Sequence, residues 1–487
     1  MEGWRVGKIR HRHIWWLALL LAVAVFSIAE AAGVLHLRVI SHPKFVPAEL
    51  PVVWALPFAG LLVSIAFVPL VLPTFWRQHY GKAALLWGAA FLVPFSFHFG
   101  TGAATLEFMH VFLADYMPFM IMLGALYVVG GGIRFVGYLR ANPVSNAGML
   151  VLGTLAAGVM GTTGASMLFI RPILDANAHR KHKAHVVVFF IFLVSNIGGA
   201  LSPLGDPPLF MGFLRGVSFF WPTVFLMKPF LVASGLLLLV FIVLDFWFWR
   251  QEGHAPEDMH FFTGKLGIEG KINILLLLAI VGFVMMPGLW RSGITISTGH
   301  TELAVEYVVS DLMLVAVGLF SWSLTPRIIR VRNDFHWEPM VEVATLFAAI
   351  FLTMVPVLAM LKAGSAGSFA VIDHLVTHDG EPQPAMFFVL TGALSSILDN
   401  TPTYLAFFNL AGGQADVLMC RFPKVLMAIS CGAVFMGAMT YIGNAPNFMV
   451  RAIAGERGIK MPSFPGYMVW SILVLVPVFT LVGYVCF

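Results

Sequence analysis

Stretches of about 20 mostly apolar residues, the length a helix needs to cross a bilayer, recur along nearly the whole chain. Only 11% of the 487 residues are charged and 59% are apolar or aromatic, where a soluble domain carries about 25% charge. A mean hydropathy of +0.88 excludes a soluble enzyme and a disordered chain, and it overrules the roughly three soluble domains that length alone suggests. A polytopic membrane protein remains. The aromatic set of 44 Phe against 9 Tyr fits lipid-facing packing better than a nucleic-acid surface. A net charge of +5 says little about partners, because Lys and Arg gather in cytoplasmic loops. Cys420, Cys431 and Cys486 match neither a zinc or haem spacing nor a disulfide framework.

Eleven full crossings are expected, near 14–33, 51–74, 83–100, 105–130, 185–213, 222–249, 271–290, 305–325, 340–361, 425–450 and 466–486. Two further apolar stretches, 146–173 and 384–410, are divided by Gly161-Thr162-Thr163-Gly164 and by Asp399-Asn400-Thr401-Pro402. Both are read as re-entrant hairpins that enter and leave on one side. With the N-terminus inside, this layout puts 21 Lys and Arg on the cytoplasmic side and seven on the other, with Lys228 inside a span, out of 29. If either hairpin crossed fully, everything after it would invert and the asymmetry would fall. Residues 1–50 hold an N-terminal helix and loop. Arg5 to Arg12 followed by an apolar run and Ala-rich 28–32 reads either as a retained first helix, which is favoured, or as a cleaved signal. The polar stretch 250–270 is the cytoplasmic connector between two halves, 51–249 and 271–487.

Those halves are related. Gly199-Ala-Leu-Ser-Pro-Leu-Gly-Asp-Pro-Pro-Leu-Phe-Met211 aligns at an offset of 238 with Gly437-Ala-Met-Thr-Tyr-Ile-Gly-Asn-Ala-Pro-Asn-Phe-Met449, with six of thirteen positions identical. The same offset takes Thr163 to Thr401 and Pro118 to Pro356. Each half holds five crossings and one hairpin, and an odd number of crossings inverts the second copy. Inverted repeats with helices broken at the midplane are the construction of many secondary transporters. The expected fold is therefore an all-α polytopic membrane protein of two inverted-topology repeats, with about 11 transmembrane helices and two re-entrant hairpins.

Ser202-Pro203-Leu204-Gly205-Asp206-Pro207-Pro208 cannot continue a helix: three prolines remove three backbone donors, and residues before proline avoid helical angles. Backbone freed at membrane depth is tolerated only against protein or in a wet cavity. Asn444-Ala445-Pro446 is the milder equivalent. Half-helix amino ends favour anions, and unwound carbonyls favour Na⁺. Thr162, Thr163, Asn400 and Thr401 at the hairpin tips carry oxygens suited to a hard cation. Acids within a membrane cost about 2.5–3.5 kcal/mol even on the lenient insertion scale, so Asp206 and Asp399 are the leading ligands for a transported cation. Low dielectric disfavours a charged carboxylate, and proton and metal ion then compete for such an acid, which is the core of cation/proton antiport. Plainer readings exist: Gly-Asp-Pro-Pro as a helix-breaking turn, Asp399 as a cap for the helix after it, and Ser195-Asn196 with Gly198-Gly199-Ala200 as close helix packing. The return of the first motif at its paired position favours binding. Glu107 and His110 read as a polar pair near the outer surface, and His179 to Lys183 as a topogenic loop.

Ser195-Asn-Ile-Gly-Gly-Ala-Leu-Ser-Pro-Leu-Gly-Asp-Pro-Pro208 and Gly392-Ala-Leu-Ser-Ser-Ile-Leu-Asp-Asn-Thr-Pro402 resemble the ion transporter superfamily. Within it they are most similar to the NhaD-type sodium:proton antiporters and the related citrate-transporter family. The resemblance spans about 51–487, its specific motifs some fifty residues. It implies an elevator-like carrier with a scaffold and a moving transport region, often a homodimer. The family's site residues would fall on Asp206, Asp399, Asn400, Ser195 and Asn196. Sodium-coupled dicarboxylate carriers of the superfamily differ in having paired Ser-Asn-Thr hairpin motifs, where this chain has Gly161-Thr162-Thr163 and Asp399-Asn400-Thr401.

Function is thus expected to be Na⁺(Li⁺)/H⁺ antiport in the inner membrane, with the N-terminus cytoplasmic. Asp206 and Asp399 would be alternately protonated and cation-bound. Thr162, Thr163, Ser195, Asn196, Ser202, Asn400, Thr401 and Asn444 would complete the ion site. No enzymatic activity and no cofactor are expected, Na⁺ or H⁺ being the coupling ion; the partners are a small ion or carboxylate and the lipid bilayer, with no nucleic acid. The alternatives are a cation- or proton-coupled citrate or dicarboxylate symporter, an arsenite-type efflux subunit and a channel. No Walker motif occurs in the sequence, so ATP chemistry would need a separate subunit.

Overall fold

The computed structural model describes residues 50–137, 142–252, 267–298, 301–378 and 380–487. The N-terminal segment 1–49, with its helix-or-signal alternative, and most of the connector lie outside the described residues. The chain is an all-α polytopic membrane protein. Among the described residues ten helices are long and apolar enough to cross a bilayer. Prolines open many of the helices in the first turn, among them Pro143, Pro207, Pro384 and Pro423, where a missing N–H costs nothing.

All ten expected crossings within the described residues are present. Eight are Val52–Val71, Pro73–Phe99, Thr101–Gly130, Met227–Glu252, Ile272–Leu289, Val305–Leu324, Glu338–Lys362 and Phe464–Cys486. The remaining two are broken. One runs as Ala184–Leu193, Ile197–Leu201 and Pro207–Leu214; the other as Pro423–Met436, Gly437–Met439 and Ala445–Glu456. Every residue from Val186 to Val194 is fully or almost fully buried. A helix apolar on all sides belongs in the centre of the bundle, and its break therefore lies inside the protein.

The stretch 146–173 resolves into Pro143–Met160 and Thr162–Ala176, and 384–410 into Pro384–Ser395 and Asn400–Leu410; these are hairpins 1 and 2. The first leg of hairpin 1 is by length among the ten helices able to cross. It nonetheless returns. Asn146, near the start of one leg, and Asn177, just past the end of the other, donate hydrogen bonds to each other's Oδ1 at 3.0 and 2.8 Å. Parity tests both hairpins. Arg134 pairs with Glu269 at 3.3 Å, and two full crossings plus hairpin 1 separate them, so they share a side only if hairpin 1 is re-entrant. Arg457 pairs with Asp175 across six crossings plus hairpin 2, which imposes the same condition on hairpin 2. Likewise Arg171 reaches Asp334 at 3.3 Å, between segments that the charge count puts on one side.

The repeat extends to the backbone. Moved by 238 residues, the long helices, hairpin legs and broken spans of 101–252 fall in order on those of 338–486. Asp206 has φ −144° and ψ 140°, and Asn444 has φ −147° and ψ 138°. Ser202 Oγ donates to the Gly158 carbonyl at 2.5 Å, and Thr440 Oγ1 to the Ser396 carbonyl at 2.6 Å. Each hydroxyl also accepts a backbone N–H two residues on, from Leu204 at 3.1 Å and from Ile442 at 3.3 Å. The two breaks are copies of one loop. The early helices of each half pack together: 73–99 against 338–362, and 101–130 against 305–324. The hairpins, broken spans, 227–252 and 464–486 form a second group.

Both breaks fold back on themselves so tightly that only glycine fits. A Cβ on Gly205 would overlap the Gly199 carbonyl, and one on Gly443 the Gly437 carbonyl. Gly205→Ala and Gly443→Ala are each expected to destabilise the purified protein by about 1–3 kcal/mol, read as a lowered thermal midpoint in detergent. Gly235→Ala, which meets open space, should leave it unchanged.

Candidate functional site

Hairpin tips and helix breaks meet in the protein interior. Hairpin 1 turns at Gly161, whose φ of 81° suits glycine alone. The turn aims the first amide of the returning leg at the first break: Thr162 N donates to the Gly205 carbonyl at 2.9 Å. Thr162 Oγ1 thereby comes to 3.0 Å from Asp206 Oδ1 and donates to it. From the other repeat, Asn400 Nδ2 donates to Asp206 Oδ2 at 2.9 Å. Asp206 is 1% exposed, Thr162 and Asn400 2%. A buried carboxylate thus bridges the two repeats through one neutral donor from each hairpin.

Around this bridge lies a second set of contacts between the halves. Asn196 Nδ2 donates to the Ile191 carbonyl at 2.8 Å and to Asn447 Oδ1 at 2.7 Å. Asn444 Nδ2 reaches the Ser195 carbonyl at 3.1 Å and Asn196 Oδ1 at 3.2 Å. Asn447 Nδ2 closes the second break by donating to the carbonyls of Gly437 and Thr440 at 2.8 and 2.9 Å. Ser195 Oγ lies 2.8 Å from Ser166 Oγ, and Ser395 Oγ donates toward Asn400 Oδ1 at 2.7 Å. All these side chains are buried.

Of the residues singled out in the sequence, Asp206, Thr162 and Asn400 are in direct contact, with Ser195, Asn196 and Asn444 in the adjoining network. The others have different surroundings. Ser202 braces its own break rather than facing the carboxylate. Asp399 caps the second leg of hairpin 2: its side chain accepts the Thr401 N–H at 3.0 Å and its carbonyl the Thr403 hydroxyl at 3.0 Å. Its carboxylate shares no hydrogen-bond partner with Asp206. The pairing of Thr163 with Thr401 is a true repeat position one residue beyond the pair at the carboxylate, Thr162 with Asn400, which obeys the same offset. Thr163 is half-buried, and Thr401 Oγ1 is buried without a hydrogen-bond partner. Ser166, Ser395 and Asn447 were missed. Asn447 had a signal, a polar residue one helical turn after Asn444; Ser166 and Ser395 sit in small-residue stretches that read equally well as packing.

Among the described residues no three His, Cys, Asp or Glu side chains cluster as a metal site. A cation at this place would meet one carboxylate, neutral hydroxyl and amide oxygens, and the carbonyls of two unwound segments, a donor set for a hard ion rather than for zinc. Four helices also start here, 162–176, 207–214, 400–410 and 445–456, and their amide ends favour negative charge.

A family model described as "Putative citrate transport" matches residues 47–487. Two curated relatives, both named as uncharacterized transporters, come from Mycobacterium bovis (strain ATCC BAA-935 / AF2122/97) and Mycobacterium tuberculosis (strain ATCC 25618 / H37Rv). Each is 23% identical over 355 residues, which is 70% of this chain and 77% of the relative. With nearly its whole described length matched, and with the inverted broken-helix architecture in place, this chain is a membrane transporter belonging to the citrate-transport family.

Proposed function

We propose that the protein is a secondary carrier of the bacterial inner membrane, N-terminus cytoplasmic, that exchanges Na⁺ or Li⁺ for protons. The observation that carries this reading is the Asp206 carboxylate, buried between the two repeats and held only by neutral donors. Among the described residues no fixed cation pairs with it, so charge balance falls to a mobile one. A proton satisfies the buried acid as a neutral carboxyl; Na⁺ satisfies it as a carboxylate with hydroxyl and carbonyl oxygens completing the shell. Each cargo excludes the other, and alternating exposure of the site then couples their flows in opposite directions. Thr162 and Asn400 orient the carboxylate. Ser195, Asn196, Asn444 and Asn447 hold the two breaks in register, and Ser202 with Thr440 keeps them open. Asp399 acts through hairpin 2, ordering its tip and the helix that carries Asn400. No resident cofactor enters this scheme.

A second reading has its own support. The family description names citrate, and the four amide ends around the site would suit a carboxylate. In a cation- or proton-coupled symporter, Asp206 would bind the coupling cation and the amide ends the anion.

Transport in proteoliposomes separates the two. With an imposed pH gradient, Na⁺ or Li⁺ should dissipate it at a saturable rate, and Asp206→Asn should abolish this while the protein still folds. Labelled citrate uptake without Na⁺-dependent proton movement would overturn the antiport reading in favour of the symporter. Asp399→Asn keeps an oxygen able to accept the Thr401 N–H. It should therefore retain a substantial fraction of transport, at least about tenfold above Asp206→Asn; equal loss in both variants would place Asp399 beside Asp206 as a cargo ligand.

A further inference from the structure

The two hairpins are related by the repeat, yet their bases differ in kind. Beneath hairpin 1 lies a buried ionic cluster that the basic loop 179–183 did not suggest. Asp245, fully buried on span 227–252, accepts from Arg180 Nη1 at 2.5 Å and pairs with His185 Nε2 at 2.9 Å through Oδ1. Its Oδ2 accepts from Asn146 Nδ2 at 2.9 Å. Asn146 belongs to the first leg and is doubly bonded to Asn177 at the end of the second. Arg180 continues to Glu252 at 3.1 Å. Both legs of hairpin 1 are thereby tied to one another and to a full crossing, in a place from which water is excluded and where breaking a charge pair is costly.

At the positions 238 residues on, hairpin 2 has Pro384 for Asn146, Ala415 for Asn177, Leu418 for Arg180, Pro423 for His185 and Gly483 for Asp245. None has a polar side chain. Hairpin 2 also buries two hydroxyls, Thr391 Oγ1 and Thr401 Oγ1, without a hydrogen-bond partner. At the paired positions hairpin 1 has Gly153, which brings no hydroxyl, and the half-buried Thr163; its buried hydroxyls on Thr154, Thr162 and Ser166 are bonded. An orphaned buried hydroxyl raises the free energy of the arrangement that orphans it, and any opening that admits water or an ion relieves it. Hairpin 1 is tied at its base by charged and amide side chains, although Arg180 Nη2 within that cluster has no partner; the base of hairpin 2 is apolar, and its polar ties, Ser395 Oγ to the Ala433 carbonyl and Asn400 to Asp206, lie toward the tip.

We infer that the hairpins have divided their labour: hairpin 1 is the static wall of the site, pinned by the Asp245–Arg180–His185 cluster, and hairpin 2 is the gate that opens it. Opening hairpin 2 would withdraw Asn400 from Asp206 while Thr162 stays. The term gate rests on the reading of the site given above, but the difference in mobility does not, and its measurement requires no transport.

Amide hydrogen exchange of the full-length protein in nanodiscs, without added ion, tests it. Peptides from 384–410 should exchange at least about tenfold faster than peptides from 143–176; equal rates, or the reverse order, would overturn the assignment. In Asp245→Asn, exchange in 143–176 should rise toward that of hairpin 2 while 384–410 stays as it was. An unchanged hairpin 1, or a rise shared by both, would remove the cluster's role. Should Asp245→Asn not fold, Asn177→Ala cuts the same tie without leaving a charge unpaired, and the wild-type comparison stands by itself.

Discussion

A carboxylate buried in the centre of a membrane protein can persist only if its surroundings stabilise it. Asp206 meets that constraint by drawing one donor from each hairpin. Thr162 reaches it because Gly161 turns hairpin 1 back sharply, and Asn400 because Asp399 caps the leg that follows it. Each donor therefore depends on a local device, and the carboxylate makes the two repeats a single site. The asparagines at 196, 444 and 447 extend this logic to the breaks, where unwound backbone groups need partners that water cannot supply.

The two repeats share a plan but not a chemistry. Ser202 and Thr440 perform the same bracing bonds in both breaks, and Asp206 and Asn444 have the same backbone angles. Around the site the halves diverge in what the side chains carry: an aspartate at 206 where the second half has Asn444, and a charged base under hairpin 1 where hairpin 2 has an apolar one. An internally symmetric scaffold thus presents two unequal hairpins around one buried carboxylate.

Much of the architecture is legible in the sequence. Apolar runs mark the crossings among the described residues. The hairpins were legible because Gly161-Thr162 and Asp399-Asn400 interrupt apolar stretches, and because charge asymmetry fails if they cross. Asp206 was legible as an acid in a proline-rich break that recurs at 238 residues. Other features were not. The capping role of Asp399 was one of two readings that residue identity alone cannot separate, since an acid before a helix serves both. Arg180 looked like one more topogenic charge. Its partner, Asp245, is 65 positions away near the end of another span, and nothing local marks the two as neighbours.

The sequence by itself determined the solvent, the ten spans among the described residues, the repeat and the places where helices break. All of these follow from local hydropathy, proline chemistry and periodicity. Only the tertiary structure decided which polar side chains meet. It selected Thr162 and Asn400 over Thr163 and Thr401, turned Asp399 into a cap, and joined Asn146, Asn177, Arg180 and Asp245 into one cluster. The reason is geometric. A one-residue step along a helix turns a side chain by about 100°, so whether it meets a carboxylate or a neighbouring helix depends on how the helices are set against each other, which no local pattern records.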